Sequence, residues 1–266
     1  MKAISFASLV TLLLFFSSCE SENAQPVNTL GTEVELSMTE FIDQDARNLT
    51  LKFLTRKDFP CINYQIKHQL FTDNQAIRIV LEKVEKSEVC LDAIGPASAF
   101  VEIGDLTNND YDLTIQLGES IIKSGTLTVS KDSYSIDMHE EDGVMLANAE
   151  LLRIPQQTIW GSIKYDPSEE KKDLVKHFDN FLKNAGANDK KFSEGDYGYF
   201  KVGANGKVLQ STGSQKIQGE YAFLFDYKGD TEDLQAALKQ ITQRYQDVQI
   251  RIYDNQGREF RNWNLN

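Results

Sequence analysis

The fold of the first half of this chain is decided by the stretch DLTNNDYDLTIQL, residues 105–117. A leucine and a short polar turn precede four apolar residues that alternate with polar ones, namely Tyr111, Leu113, Ile115 and Leu117. Successive side chains of a strand point to opposite faces, so alternation places these four on one face. The pattern therefore predicts a half-buried β-strand that begins directly after a turn.

A leucine, a polar turn and a tyrosine that opens a strand resemble the tyrosine corner of Ig-like and fibronectin type III sandwiches. The resemblance implies that Leu106 is buried and that the Tyr111 hydroxyl bonds back to the backbone. Short alternating stretches surround this motif and predict further strands. We therefore expect an Ig-like antiparallel β-sandwich over residues 32–153. The predicted strands include residues 49–53, 62–66, 77–81 and 125–129 and one that begins at Phe100.

Residues 158–266 have a different pattern, which predicts a two-helix α+β domain. The first helix is expected to have Asp166 as its N-cap, followed by Pro167 and Glu169, and to end at Gly186. The second is expected to begin near Asp230, with apolar residues at helical spacing. The fold class predicted for the whole chain is thus mixed β and α+β.

The segments around these helices suggest two β-α-β-β units. The first has strands at 159–165, 197–202 and 207–210, with a turn at 203–206. The second has strands at 221–227, 248–253 and 258–263, with a turn at 254–257. Such a tandem pair is similar in topology to the GyrI-like ligand-binding fold. A ferredoxin-like arrangement with one additional hairpin is the alternative, and the sequence leaves both open.

One face of the C-terminal sheet is the candidate ligand- or partner-binding site. Alternation places the aromatic side chains of the second unit's strands beneath the helices, which leaves the other parity on the opposite face. Aromatic rings there could stack on a sugar or a partner, and cations could bind carboxylate or sulfate groups. Packing of this face on the β-sandwich is the alternative interpretation. The predicted site residues are Trp160, Lys164, Tyr199, Lys201, Arg251 and Tyr253.

The first residues of the chain predict export and lipidation. Lys2, an apolar run over residues 9–16 and the small pair Ser17-Ser18 precede Cys19. The apolar run has the length of a signal-peptide core, and the motif resembles the lipobox of bacterial lipoproteins. The resemblance implies that residues 1–18 are removed, that Cys19 is lipidated and that residues 19–31 form a tether. An ordinary secretory signal, with Cys19 incidental, is the alternative.

Two acidic residues close behind Cys19 extend this prediction to the cellular location of the protein. Glu20 and Glu22 resemble the export signals of Bacteroidota surface lipoproteins. The resemblance implies attachment to the outer membrane through the N-terminal lipid, and it favours the outer face of that membrane. An exported chain with only two further cysteines is expected to form one disulfide, Cys61–Cys90. Two buried thiols or a metal pair are the alternatives.

Charge and the absence of known catalytic motifs argue against several classes of function. A net charge of −12 without a basic run disfavours nucleic acid as a partner. The sequence contains no HExxH, GxSxG, Walker A or GxGxxG motif, and no cofactor or metal is predicted. The acidic residues 137–143 could hold calcium, but a solvated turn explains them more simply.

We therefore expect a membrane-anchored, non-enzymatic module of the cell envelope that binds or interacts with another envelope protein. A small-ligand or glycan binder that uses the open face of the C-terminal sheet is the first alternative. A hydrolase with paired carboxylates is the second, because 40 acidic residues offer many pairs.

Overall fold

The computed structural model describes residues 30–43, 46–140, 142–166, 173–209, 219–245 and 247–264. The predicted signal peptide, the lipidation site Cys19 and residues 19–29 of the predicted tether lie outside these described residues. The last part of the expected tether is not a free linker, because the apolar side chain of Leu30 is buried in the core.

Ten strands in residues 34–152 form one large, curled, mixed sheet, here called the N-terminal sheet. Its strands are β1 (Val34–Asp43), β2 (Ala46–Phe59), β3 (Gln65–Asp73), β4 (Ala76–Glu85), β5 (Gly95–Gly104), β6 (Asn109–Leu117), β7 (Ile121–Val129), β8 (Ser133–Met138), β9 (Val144–Leu146) and β10 (Glu150–Leu152). Their order is β10-β8-β7-β6-β4-β3-β5-β2-β1-β9. One apolar cluster collects buried side chains from all ten strands, so the whole sheet encloses a common core.

The expectation of purely antiparallel pairing is wrong at three places in this sheet. β4 pairs with β6, β3 with β5 and β1 with β9 in parallel. The chain leaves β4, forms β5 next to β2, and then returns to pair β6 with β4 in the same direction. The backbone pairing between β3 and β5 is limited to one residue pair, Gln65 and Ser98. The sheet is therefore nearly divided there into a six-stranded and a four-stranded part.

The hydrogen bond that characterises the predicted tyrosine corner is present. The Tyr111 hydroxyl donates to the carbonyl oxygen of Thr107 at 3.0 Å, and the tyrosine ring is buried. Leu106 is half-buried against the core, whereas the resemblance implied full burial. The alternating residues of β6 point into the core as predicted, because the bonded corner fixes which face the strand presents.

The predicted disulfide is confirmed, and one strand next to it was misplaced. Cys61 and Cys90 are bonded, with their Cα atoms 5.3 Å apart. The strand predicted at 62–66 begins only at Gln65, because Tyr64 N–H donates to the Cys61 carbonyl and closes a turn there. Ile62 is consequently exposed. The strand expected from Phe100 begins earlier, at Gly95.

The C-terminal sheet has five strands and carries both helices on one face. Its strands are β11 (Thr158–Tyr165), β12 (Ala187–Asn188), β15 (Glu220–Tyr227), β16 (Val248–Asp254) and β17 (Glu259–Arg261), and a separate small hairpin is formed by β13 (Gly195–Asp196) and β14 (Lys201–Val202). The order is β12-β15-β11-β16-β17, and every neighbouring pair is antiparallel. The helices α1 (Leu174–Asn184) and α2 (Thr231–Arg244) pack on the side chains of Phe223, Phe225, Val248, Ile250 and Ile252.

The N-cap predicted for the second helix is present, and the one predicted for the first helix is wrong. The Asp230 carboxylate accepts from the N–H of Asp233 at 2.8 Å and caps α2 as predicted. The cap position of α1 is occupied by Asp173, and its side chain makes no capping bond. Asp166 is not the cap because Tyr165, its neighbour, is still paired in the sheet with Val248. Pro167 and Glu169, predicted to complete that cap, lie outside the described residues.

The strand predicted at 197–202 was wrong. Tyr197 N–H donates to the Phe200 carbonyl at 2.9 Å, and Gly198 between them has a φ of 80°. That positive φ, which glycine adopts readily, turns the chain into the β13–β14 hairpin instead of extending it. Residues 207–209 contribute one bridge, between Val202 and Val208, where a strand was expected. The strand predicted at 258–263 is present as β17 and ends in a 3₁₀ turn, Asn262–Asn264.

An apolar cluster, separate from the cores of the two sheets, joins these sheets to each other. It combines Ile42 at the end of β1 and Ile154 in the connection to β11 with Trp160 and the aromatic residues around the small hairpin. The Arg47 guanidinium also donates to the carbonyl of Ile154 at 2.7 Å. The C-terminal sheet is thus held directly against the end of the N-terminal sheet. The cluster comprises Ile42, Ile154, Trp160, Phe192, Tyr197, Phe200 and Val202.

Candidate functional site

A groove lies on the face of the C-terminal sheet that the helices leave uncovered. Strand alternation and register set its floor as three rows that run across β15, β11 and β16. The middle row has two small side chains, Ala222 and Ser162, followed by Arg251, and this leaves a depression in the floor. The other rows are Leu224–Trp160–Tyr253 and Glu220–Lys164–Gln249.

The groove has walls on two sides and a volume of about 560 Å³. One wall is built by residues 199–209, which contribute Tyr199, Lys201 and Leu209. The other wall includes Trp263 from the 3₁₀ turn. Small-molecule sites in proteins occupy roughly 300–1,000 Å³, so the groove has the dimensions of a ligand site.

All six residues predicted from the sequence line this groove. The centroid of the Trp160 ring lies 5.4 Å from that of Tyr199 and 5.9 Å from that of Tyr253. Trp160 and Tyr253 therefore share one face, as the alternation of β11 and β16 predicted. Tyr199 reaches them from the turn between β13 and β14 and not from the strand predicted at 197–202.

The face is less open than predicted at its aromatic end. Trp160 is only 4% exposed, because Phe200 and Ile42 pack around it in the cluster that joins the two sheets. Ile42 brings the first domain against this end of the face, whereas Phe200 belongs to the C-terminal part itself. The accessible part of the groove extends from Tyr199 and Tyr253 towards Lys164.

The described residues that line the groove include three cations and one carboxylate. Lys201 is paired with Asp196 at 2.8 Å, and the Arg251 Nε atom with Glu259 at 2.9 Å. Lys164 is held more loosely, with its Nζ atom 3.9 Å from Glu220 and its side chain 62% exposed. Each of these pairs is solvent-accessible and contributes little to stability. The cations are therefore available to exchange their partners for a ligand anion.

The Arg251 guanidinium is the most strongly oriented cation. Besides Glu259, it bonds to the Tyr253 hydroxyl at 3.3 Å and lies 5.5 Å from the ring of Trp263. Glu259 is itself hydrogen-bonded by Arg261, which lowers the pKa of its carboxyl group and keeps it ionised. Arg251 is thus fixed between an anion and two aromatic rings, an arrangement suited to planar recognition.

The wall residue Tyr199 is anchored from the N-terminal sheet. Its hydroxyl accepts a hydrogen bond from the backbone N–H of Ile42 at 3.4 Å. Burial raises the pKa of Tyr199 above its usual range, so the ring stays neutral at physiological pH. The position of this wall consequently depends on contact between the two sheets.

Several groove residues were missed by the sequence analysis. Glu220 and Gln249 lie on the predicted face by parity and could have been found from the alternation itself. Trp263 and Leu209 lie beyond regular strands, where alternation gives no signal.

Two other groups of titratable side chains lie away from the groove. Glu140 and Asp142 of the acidic stretch 137–143 both bind the Nζ atom of Lys123, at 2.7 and 2.8 Å. No cluster of three metal-ligating side chains occurs within the described parts of the chain. His177 bonds to the Tyr245 hydroxyl between the two helices, which is a structural role.

An exposed apolar rim surrounds the disulfide of the N-terminal sheet. The rim is pinned by Asn63, whose side chain bonds to the backbone of Val89 and Leu91. Its four apolar side chains, Ile62, Val89, Leu91 and Ile94, are all at least half exposed.

Comparison with known proteins leaves the groove as the principal guide to function. No family model matches the chain, and neither a curated protein nor a solved structure matches it significantly. Of the helices in the described ranges, none is both long and apolar enough to cross a membrane.

Proposed function

We propose that this protein is a lipid-anchored, non-enzymatic binding protein of the bacterial cell envelope, and that the groove holds a small ligand. The observation that carries the proposal is the convergence of aromatic, cationic and hydrogen-bonding side chains on one concave face. Apolar walls with a few oriented polar groups are the usual composition of a ligand site. Among the described lining residues Glu220 is the only carboxylate, so the groove favours binding over hydrolysis by paired carboxylates.

The finer fold assignment belongs to the same proposal. We assign the N-terminal part to the Ig-like sandwiches, supported by the Tyr111 corner and by the limited backbone pairing, one residue pair, between β3 and β5. We assign the C-terminal part to the ferredoxin-like folds. Apart from the small hairpin β13–β14, which is inserted between β12 and β15, its chain order is β11-α1-β12-β15-α2-β16 and its sheet order is β12-β15-β11-β16. Both orders are those of a split β-α-β arrangement, with β17 added at the edge.

The membrane attachment proposed here rests on the sequence around Cys19. Lipidation would hold the protein on the outer membrane, since each buried CH₂ group of an acyl chain contributes about 0.8 kcal/mol. Metabolic labelling with an alkyne fatty acid tests this, with Cys19→Ala as the comparison. We expect label and membrane association in the parent protein and loss of both in the variant. A membrane-bound, unlabelled parent protein would contradict the assignment.

The ligand groove is tested by a binding screen that reads the fluorescence of Trp263. This ring borders the groove and is partly exposed, whereas Trp160 is buried, so an occupant should change the Trp263 signal. Small saccharides and organic acids are the first probes. A compound that binds should lose its signal in Trp263→Phe and its affinity in Tyr253→Ala. Affinity that is unchanged in Tyr253→Ala would place the ligand elsewhere and contradict the proposal.

A second candidate function is interaction with another envelope protein through the apolar rim around Cys61–Cys90. It is favoured by four exposed apolar side chains gathered at one rigid, disulfide-bonded loop. Co-purification from gently solubilised membranes tests it, with Ile94→Ser as the rim variant and Ile122→Ser as the control at another exposed apolar position. Loss of a stoichiometric partner in Ile94→Ser alone is the expected result. Equal recovery with both variants would rule out the rim.

A further inference from the structure

The charges of the groove narrow its ligand to one chemical class. Three cations line it on a chain whose net charge is −12, and the only carboxylate among the described lining residues is Glu220. Each cation has a carboxylate partner, but Asp196 and Glu259 stand outside the lining, so the described lining carries more cationic than anionic side chains. A ligand anion can replace the carboxylate in one of these solvent-accessible pairs. We infer that the groove binds an acidic saccharide, a pyranose ring that carries a carboxylate, and this inference rests on the proposed function.

Arg251 is the group that would hold the carboxylate. Its bonds to Glu259 and Tyr253 use Nε and Nη1 and leave Nη2 outside both contacts. Nη2 can donate one charge-assisted hydrogen bond to a ligand carboxylate, and the fixed guanidinium plane sets the direction of that bond. Its position in the middle floor row, next to Ser162, places the charge at the edge of the depression that Ser162 and Ala222 leave.

Lys164 supplies a second, adjustable charge. Lys164 is paired across the strands with Gln249, so Arg251 is its diagonal neighbour, about 7–8 Å away by strand geometry. A carboxylate bound at Arg251 would attract the Lys164 ammonium, since its ion pair with Glu220, the one it makes among the described residues, is loose.

The remaining lining groups fit the ring and its hydroxyls. Tyr253 and Trp263 flank Arg251 and offer aromatic surface to the C–H face of a sugar ring. Glu220, Gln249 and Ser162 add acceptors and donors along the floor, which an aromatic acid without hydroxyl groups would leave unpaired. This combination favours an acidic sugar over an aromatic carboxylate.

The experiment measures the affinity of the detergent-solubilised full-length protein for three probes by isothermal titration calorimetry. The probes are a glucuronate-containing oligosaccharide, its neutral glucose counterpart and benzoate. We expect the glucuronate oligosaccharide to bind most tightly. In Arg251→Gln its affinity should fall about tenfold to a hundredfold, the effect of one charge-assisted hydrogen bond, while the weaker affinity for the neutral counterpart stays unchanged.

The controls separate this inference from the proposed function. Arg251→Gln should fold normally because Glu259 keeps its bond to Arg261, and circular dichroism checks this. Arg78→Gln removes an exposed arginine from β4 and should leave all affinities unchanged. Equal affinity for the glucuronate and neutral probes, or tightest binding of benzoate, would overturn the acidic-saccharide inference and leave a ligand groove. Absence of binding by all three probes would overturn the inference, whereas the wider screen at Trp263 decides the proposed function.

Discussion

Replacing Glu40 with glutamine is expected to lower the free energy of unfolding by about 3 kcal/mol. The Glu40 carboxylate is 1% exposed and accepts three hydrogen bonds inside the protein. The donors are the Tyr134 hydroxyl at 2.9 Å, Arg47 Nη2 at 2.8 Å and Arg153 Nε at 3.2 Å. Glutamine keeps the shape of the side chain but removes the charge, so two arginines would face a neutral amide.

The magnitude follows from the surroundings of the two arginines. Removing one partner of a buried ion pair costs about 3–5 kcal/mol, because the other charge remains buried without compensation. Here the Arg47 and Arg153 side chains keep 26% and 12% exposure. Each also bonds to a backbone carbonyl, that of Ile154 or of Ser130. Partial solvation and these second acceptors place the loss at the lower end of the range.

Urea unfolding followed by circular dichroism measures the loss of stability. Glu102→Gln is the matched control, since it changes an exposed carboxylate on β5 and should alter stability by less than about 0.5 kcal/mol. The slope of the free energy against urea should stay constant if the native state is intact. A loss below about 1 kcal/mol in Glu40→Gln would refute the argument that this carboxylate compensates two buried charges.

Three further predictions concern the disulfide, a strand glycine and a half-buried carboxyl group. Replacing Cys61 and Cys90 together by serine should remove roughly 3–4 kcal/mol, the chain-entropy value for a separation of 29 residues; an unchanged urea midpoint would contradict it. Gly161→Ala should prevent stable folding, because a Cβ atom would lie 1.9 Å from the carbonyl oxygen of Arg251; a thermal melt like that of the parent protein would disprove this. Burial raises the pKa of the Asp179 carboxyl, so the native state loses stability as pH rises from 3.8 through the raised value. Asp179→Asn should therefore stabilise the protein at pH 7 but not below pH 3.8, and equal gains at both pH values would be inconsistent with titration.

Local sequence signals predicted the structure well where the cause was itself local. The alternation in β6 and the cap of α2 at Asp230 depend on neighbouring residues and were found correctly. The hairpin around Gly198 was missed because its alternating aromatic residues imitate a strand, whereas a positive φ turns the chain. The parallel pairing of β4 with β6 was also missed, since it depends on where β5 lies.

The candidate site was predicted from strand parity, and the limits of that prediction have a physical reason. Parity identified Trp160, Arg251 and Tyr253 on one face because the register of β11 and β16 keeps their side chains aligned. It gave no information on what covers the face. Burial of Trp160 results from residues distant in sequence, Ile42 and Phe200 among them, whose approach is a tertiary event.

The hydrogen bond from Ile42 to Tyr199 has a consequence for how this protein can evolve. Recombination that moved residues 158–266 onto a different neighbour would transfer the groove floor but lose the support of one wall. It would also remove Ile42 and Ile154 from the apolar cluster that contains Trp160 and expose part of that cluster to solvent. The two halves of the chain are therefore expected to evolve together, and exchange of either half alone should be selected against.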